Sequence, residues 1–333
     1  KRDWSSDVCS SDLTRVGSSS GAFAHWANMP VPYFISAEGS SQILNDSEFA
    51  AVQDAFQTWT NVPTADVRFN YLGTAAITRG AGDGVNLVSF EDRTFPWSSG
   101  TLAVTLNYFS SSTGITSEAD ILFNPNQVWS TSGESGRYDI QGILTHEVGH
   151  FLGLDHSGIV SSVMSPFGGI GVVDLRTLQY DDIAGVSEIY PRGNPAVGRI
   201  SGTVTLDGQP VRGAHVVGVD SVGTPLVATV SGADGSYTLR LVPPGAFRVY
   251  AEPLDSPVNE SALSEAYRNL STNFGTTYAP NASTLAAGRT VQVAAGSTVT
   301  GMNIQALPRT ASDRKSTRLN SSHVSESRMP SSA

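Results

Sequence analysis

The run His146-Glu147-Val148-Gly149-His150-Phe151-Leu152-Gly153-Leu154-Asp155-His156 constrains this chain more than any other feature. On a helix, residues four apart share a face, so the imidazoles of His146 and His150 can reach one metal ion from the same side. Glu147 sits beside the first ligand, placed to take a proton from an activated water without being a ligand itself. Gly153 has no Cβ and lets the chain enter a left-handed conformation, end the helix and bring His156 in as third ligand. Three protein ligands and an open fourth position define a catalytic zinc site, whereas a structural site is closed by a fourth side chain. With six histidines in 333 residues, a chance match to the five fixed positions is roughly one in a hundred thousand. His25, His215 and His323 have no His, Cys or carboxylate at ligand spacing and read as surface or ordinary structural residues.

The surroundings extend the pattern. Ser157 follows the third histidine, and Val163-Met164-Ser165-Pro166 comes shortly after. This stretch resembles the Met-turn beneath the metal in metzincin zinc peptidases. Within that group the chain resembles the matrixins, the matrix-metallopeptidase family. Ala51 to Val62, Glu118 to Asn124 and Asp181 to Tyr190 look like matrixin elements in matrixin order, over about residues 22 to 191. Pro166 stands where related subfamilies place a tyrosine ligand, so a five-ligand site is not expected. The resemblance implies Glu147 as catalytic base, His146, His150 and His156 as metal ligands, and Gly153, Met164 and Pro166 as support. It also implies an extended substrate antiparallel to the strand near 101 to 107, through Leu102, Ala103 and Val104. An apolar S1′ pocket would be walled by residues 163 to 174, with Phe167 and Gly168, Gly169 and Gly171 forming a mobile rim.

One departure matters. Matrixins of animals carry a second, structural zinc held by residues ahead of the catalytic helix, but no histidine lies between His25 and His146. One catalytic zinc and no structural zinc are therefore expected. Asp83, Glu91, Asp92 and Asp120, in or near Gly-rich turns, offer oxygen ligands for structural calcium, although solvated turn carboxylates are the simpler reading of each. The cysteine-switch propeptide that silences matrixins has no counterpart here; either it does not exist or it lies upstream.

Both ends look foreign. Asp3 to Leu13 and Asp313 to His323 resemble translated sequencing-adapter DNA: the two peptides can be back-translated into the complementary strands of one DNA stretch. Residues 1–13 and 309–333 are accordingly read as artefactual or disordered tails. Cys9, the single cysteine, falls in the first, leaving no disulfide for the rest. Without residues 1–13 and 313–333, 14 basic residues face 25 acidic ones, a net charge of about −11. Such a chain has no electrostatic footprint for nucleic acid or anionic membrane. No apolar run is long enough to span a bilayer, and a signal peptide, if there is one, lies upstream. The expectation is a secreted or cell-surface monomer acting on proteins or peptides.

The fold class expected is α+β, in two domains. Residues 14–196 read as the zinc-peptidase domain, a mixed five-stranded sheet with three helices. Phe49, Val52, Phe56 and Trp59 mark a helix near 46–60. Ile140, Ile143, Leu144, Val148 and Phe151 form the buried face of a second, and Ile183, Val186 and Ile189 imply a third near 179–189. Strands are expected at 31–36, 66–72, 85–90, 101–109 and 117–123.

Pro191-Arg192-Gly193-Asn194-Pro195 is the seam. Beyond it, 197–308 reads as an all-β, immunoglobulin- or transthyretin-like sandwich. Arg199 to Leu206 leads into an Asp207-Gly208 turn with His215 to Val219 as return strand, and Ser236 to Val242 and Phe247 to Ala251 follow. The GxVxxxGxPVxGAxV run from Gly202, with Asp234-Gly235-Ser236-Tyr237 and Pro243 to Val249, resembles the carboxypeptidase regulatory-like domain. It carries no catalytic pattern, so it reads as a spacer or stability module, with weak protein or polysaccharide binding as the alternative. For the whole chain the reading is a secreted zinc endopeptidase; the rival is a surface adhesion or scaffold protein with a catalytically degenerate metallo-domain.

Overall fold

The computed structural model describes residues 14–80 and 82–309 and the backbone of Ser327–Arg328. Cys9 and His323 lie outside these. The first half is built on a five-stranded sheet of order β2-β1-β3-β5-β4. Its strands are β1 (Val31–Ser36), β2 (Phe69–Ala75), β3 (Leu87–Ser89), β4 (Ala103–Phe109) and β5 (Thr116–Phe123). All neighbours run parallel except β4, which is antiparallel to β5 and forms one edge. Three helices, α1 (Ser47–Thr60), α2 (Ile140–Phe151) and α3 (Tyr180–Ile189), complete the α+β arrangement.

The expected apolar stripes make the core. Val52, Phe56 and Trp59 of α1 meet Ile140, Leu144, Val148 and Phe151 of α2 in one cluster with β1 and β5. Tyr33 stacks on Phe56 with ring centroids 3.9 Å apart, and Phe69 and Phe151 close the group edge-on. Trp59 Nε1 donates to the Thr145 carbonyl at 2.8 Å, which sets α1 against the metal-motif helix. Strand β2 begins three residues later than its β-branched pattern suggested. Ala65 bridges Pro191 and the Asp66 N–H donates to the Tyr190 carbonyl at 2.7 Å, so this backbone is committed to the end of α3.

The second half is a sandwich of two sheets. One pairs 198–206 with 236–242 and the short segments 209–210, 298–299 and 304–305. The other orders 225–230, 214–219, 245–253 and 277–278. The return strand after Asp207-Gly208 is corrected here: it is Gln209–Pro210, whereas 214–219 belongs to the opposite sheet. Pro210 has no N–H to continue the ladder, and Gly213, at φ +78°, turns the chain across.

The seam in the chain is not a gap in the packing. Ala184 of α3 is buried in the sandwich core, and Ile159 packs with Val217, Val219 and Ala228. Phe23 and Phe167 lie against Leu254, Val258, Leu263 and Tyr267. Ser327–Arg328, in the tail set aside from the sequence, pair antiparallel with Phe167–Gly168.

Candidate metal centre

Helix α2 starts where Asp139, in extended conformation, accepts the Gly142 N–H at 2.8 Å through its side chain, a standard N-cap. Arg176 holds that carboxylate with two nitrogens. At the other end, orphan carbonyls find side-chain donors rather than water. Trp26 Nε1 donates to the Phe151 carbonyl at 2.7 Å and the Tyr190 hydroxyl to that of Leu152 at 2.8 Å. Gly153 follows at φ +98°, and a Cβ there would come within 2.2 Å of the Ala24 carbonyl oxygen. Both the backbone conformation and the space exclude any other residue, and the turn delivers His156.

The three imidazoles are buried and converge. Nε2 of His146 lies 3.0 Å from Nε2 of His150, which lies 3.3 Å from Nε2 of His156. Each Nδ1 faces a backbone carbonyl: His146 that of Val163 at 2.7 Å, His150 that of Leu154 at 2.7 Å, and His156 that of Ala262. A carbonyl only accepts, so each Nδ1 carries the proton and each Nε2 presents a lone pair. Three lone pairs aimed at one point repel each other unless a cation sits among them. Burial, with mutual repulsion between the rings, drives His146 down to about 3 and His150 well below the usual imidazole value. Burial takes His156 to about 4. All three are thus neutral near pH 7, the form that binds metal. They are the one group of three potential ligands within 4.8 Å of one another among the described residues.

Glu147 is fully buried beside them. Its Oε2 accepts the Thr105 hydroxyl of β4 at 2.6 Å, while Oε1 has no hydrogen-bond partner. Burial pushes its carboxyl up to about 8, against the pull of the Thr105 hydroxyl. Beneath the helix, Met164 packs so closely that a Cβ on Gly149 would lie 2.2 Å from its sulfur. The Met164 carbonyl accepts the Ser157 N–H at 2.8 Å. Pro166 is buried next to it.

The sequence marks Asp181 to Tyr190 as a matrixin-like element and a helix; the structure ties its first carboxylates to the loop that follows His156. Asp182 accepts the N–H groups of Val163, Met164 and Gln179 at 2.8–3.0 Å and the Ser162 hydroxyl, fixing the turn under the three histidines. Asp181 accepts the Ser157 hydroxyl at 2.7 Å. Asp155 accepts the His156 N–H at 2.8 Å with one oxygen and the Ser264 N–H at 2.7 Å with the other. Adjacent acidic residues at a helix start are the visible signal for the first two. Asp155 has none, because its second partner is more than a hundred residues away.

The other sequence candidates separate. Ala103 and Val104 lie on the edge strand β4 and Leu102 directly before it, and all three residues are buried. Phe167 is half-buried against Leu254, Val258, Leu263 and Tyr267 of the sandwich. No three of Asp83, Glu91, Asp92 and Asp120 gather within ligand distance; Asp92 and Asp120 are each occupied by a backbone N–H. His215 is buried at the seam with Nδ1 3.0 Å from Glu252 Oε1.

Three imidazoles whose Nε2 atoms converge on one point beside a buried carboxylate form a group that can hold a metal ion on an α+β scaffold. Residues 25–191, half of the chain, match the matrixin family model, and the chain belongs to that zinc-peptidase family. Residues 199–259 match the carboxypeptidase regulatory-like domain. Among similar proteins, rabbit (Oryctolagus cuniculus) macrophage metalloelastase is 30% identical over 169 residues, 50% of this chain and 33% of that one. Karilysin of Tannerella forsythia is 26% identical over 228 residues, 65% and 44% respectively. Rat (Rattus norvegicus) matrilysin is 41% identical over 76 residues, 22% and 28%. The chain therefore spans between about a quarter and a half of the length of these relatives. Among the described residues no helix is long and apolar enough to cross a membrane.

Proposed function

We propose that this chain is a secreted zinc endopeptidase with one catalytic zinc, held by His146, His150 and His156, and with Glu147 as general base. The observation that carries the reading is the conjunction at α2: three Nε2 lone pairs directed at one point, next to a buried carboxylate oxygen without a partner. Zinc there would activate a water, polarise the scissile carbonyl and, by its charge, favour the ionised form of Glu147. Oε1 of Glu147 takes the proton of the attacking water and hands it to the leaving amine, while the Thr105 hydroxyl holds Oε2 in place. An extended substrate adds antiparallel to the edge strand β4, recognised through its backbone. Gly153, Met164 and Pro166 hold the ligands from below. The domain division at 196/197 and the monomeric state belong to the same proposal.

The test is chelator-sensitive cleavage of an unfolded protein such as casein. Glu147→Gln keeps the size and all three ligands, so zinc occupancy should stay near one while cleavage falls by about 10²- to 10⁴-fold, the usual contribution of general-base catalysis. Equal rates for the two proteins, or no cleavage by the zinc-loaded chain over a broad peptide library, would favour the adhesion reading instead.

A further inference from the structure

The third metal ligand differs from the other two in where its support comes from. His146 and His150 are oriented by carbonyls of their own domain, Val163 and Leu154. His156, beyond the end of α2, is oriented by the carbonyl of Ala262 in the excursion 254–273, between two strands of the sandwich. The neighbouring Ser264 N–H holds Asp155, whose other oxygen fixes the His156 backbone. We infer that the sandwich is a positioning element of the metal centre: through residues 259–268 it sets the tautomer and orientation of His156, and hence the affinity for zinc. This rests on the zinc reading above and deepens it.

The excursion is built to keep that carbonyl in place. Asn259 caps a short 3-10 turn at 260–262 by accepting the Ser261 N–H at 3.0 Å. Arg268 Nη1 donates to the carbonyls of Glu260 and Leu263 at 2.8 Å and of Ser264 at 3.1 Å, tying the turn together from within. Glu260 Oε2 accepts the Leu270 N–H at 3.0 Å. Leu263 is buried with Leu254, Val258 and Tyr267, against Phe23 and Phe167 of the catalytic half. The N-terminal segment fastens the other side: the Gly17 N–H donates to Ser264 Oγ at 3.1 Å and the Arg15 N–H to the Tyr267 hydroxyl at 3.0 Å. A free loop would have no reason to be held by so many separate contacts on both sides of the imidazole's partner. A spacer would not reach the ligand at all.

Hydrogen bonds from outside the ligand shell fix ring orientation and raise basicity, and losing one typically costs about 10- to 100-fold in metal affinity. The experiment uses the full chain and reads zinc affinity by competition with a chromophoric chelator, with the visible spectrum of the cobalt-substituted protein as signature of ligand geometry. Two variants loosen the excursion without touching a ligand: Arg268→Ala, and replacement of residues 259–264 by alternating Gly and Ser. Glu188→Ala is the control, since it removes the ion pair with Arg240, 3.5 Å away, at another point of the same domain contact. Zinc binding about 10- to 100-fold weaker in either loop variant, with altered cobalt bands and a normal control, supports the inference. Affinities within twofold of the unaltered chain in both variants, or an equal loss in Glu188→Ala, would overturn it. Failure of the unaltered chain to bind zinc would overturn the metal-site reading itself, a separate result.

Discussion

Asp181, in the first turn of α3, accepts the Ala228 N–H at 2.9 Å, so a buried carboxylate from the first half satisfies an N–H of the sandwich's edge strand 225–230. Its second oxygen accepts the hydroxyl of Ser157, the residue after His156. One side chain thereby joins the metal loop, helix α3 and the sandwich.

This joint should be visible in the pH dependence of stability. Burial pushes the Asp181 carboxyl up to about 7, opposed by the Ser157 and Ala228 hydrogen bonds. A carboxyl raised in the fold binds more protons there than in the unfolded chain between about 4 and 7, so its contribution falls as pH rises through that window. The slope is at most about 1.4 kcal/mol per pH unit. The metal-ligand histidines, lowered in the fold, act in the opposite sense, which makes a difference measurement necessary. Urea unfolding of Asp181→Asn minus that of the unaltered chain should show a gain that grows from pH 4 to 7; a gain independent of pH would contradict it.

Gly153→Ala should be costly for two reasons at once. The left-handed conformation alone costs roughly 1–2 kcal/mol for a residue with a Cβ, and the added carbon would meet the Ala24 carbonyl. A loss clearly above 2 kcal/mol in denaturant, together with weaker zinc binding, is the expected outcome. The second effect follows because His156 hangs on this turn.

Metal content should be one zinc per chain by elemental analysis, since one set of three histidines converges among the described residues. His150→Ala should lose metal and activity together, as two imidazoles do not hold the ion in catalytic geometry. Chelation should lower the melting temperature, because free zinc at about a thousand times its dissociation constant stabilises the fold by about 4 kcal/mol. Two zinc ions per chain would show a second site.

Limited proteolysis should cut at the exposed stretch near 191–195. The two pieces should nevertheless elute as one particle on size-exclusion, because Ala184, Ile159, Phe23 and Phe167 are packed against the sandwich. Separation of the pieces without denaturant would show that the contact is weak.

The convergence of His146, His150 and His156, the carboxylate beside them and the glycine turn were legible because they lie within eleven consecutive residues whose spacing is set by helix geometry. Strands and helices were legible from period-2 and period-3.6 patterns, which a half-buried element must carry. The exception at Gln209–Pro210 is instructive: the turn signal was read correctly, but which strand pairs with which depends on contacts that no local pattern encodes. Asp181 and Asp182 were seen as part of a helix, and their role came from partners in three other segments.

The sequence by itself determined the chemistry of the centre, because residue type and local spacing decide which atoms can bind a metal and which can move a proton. Only the tertiary structure decided what supports that centre. The partners of His156 and Asp155 lie 106 and 109 residues downstream, and a backbone carbonyl or N–H has no side-chain signature that a sequence could display.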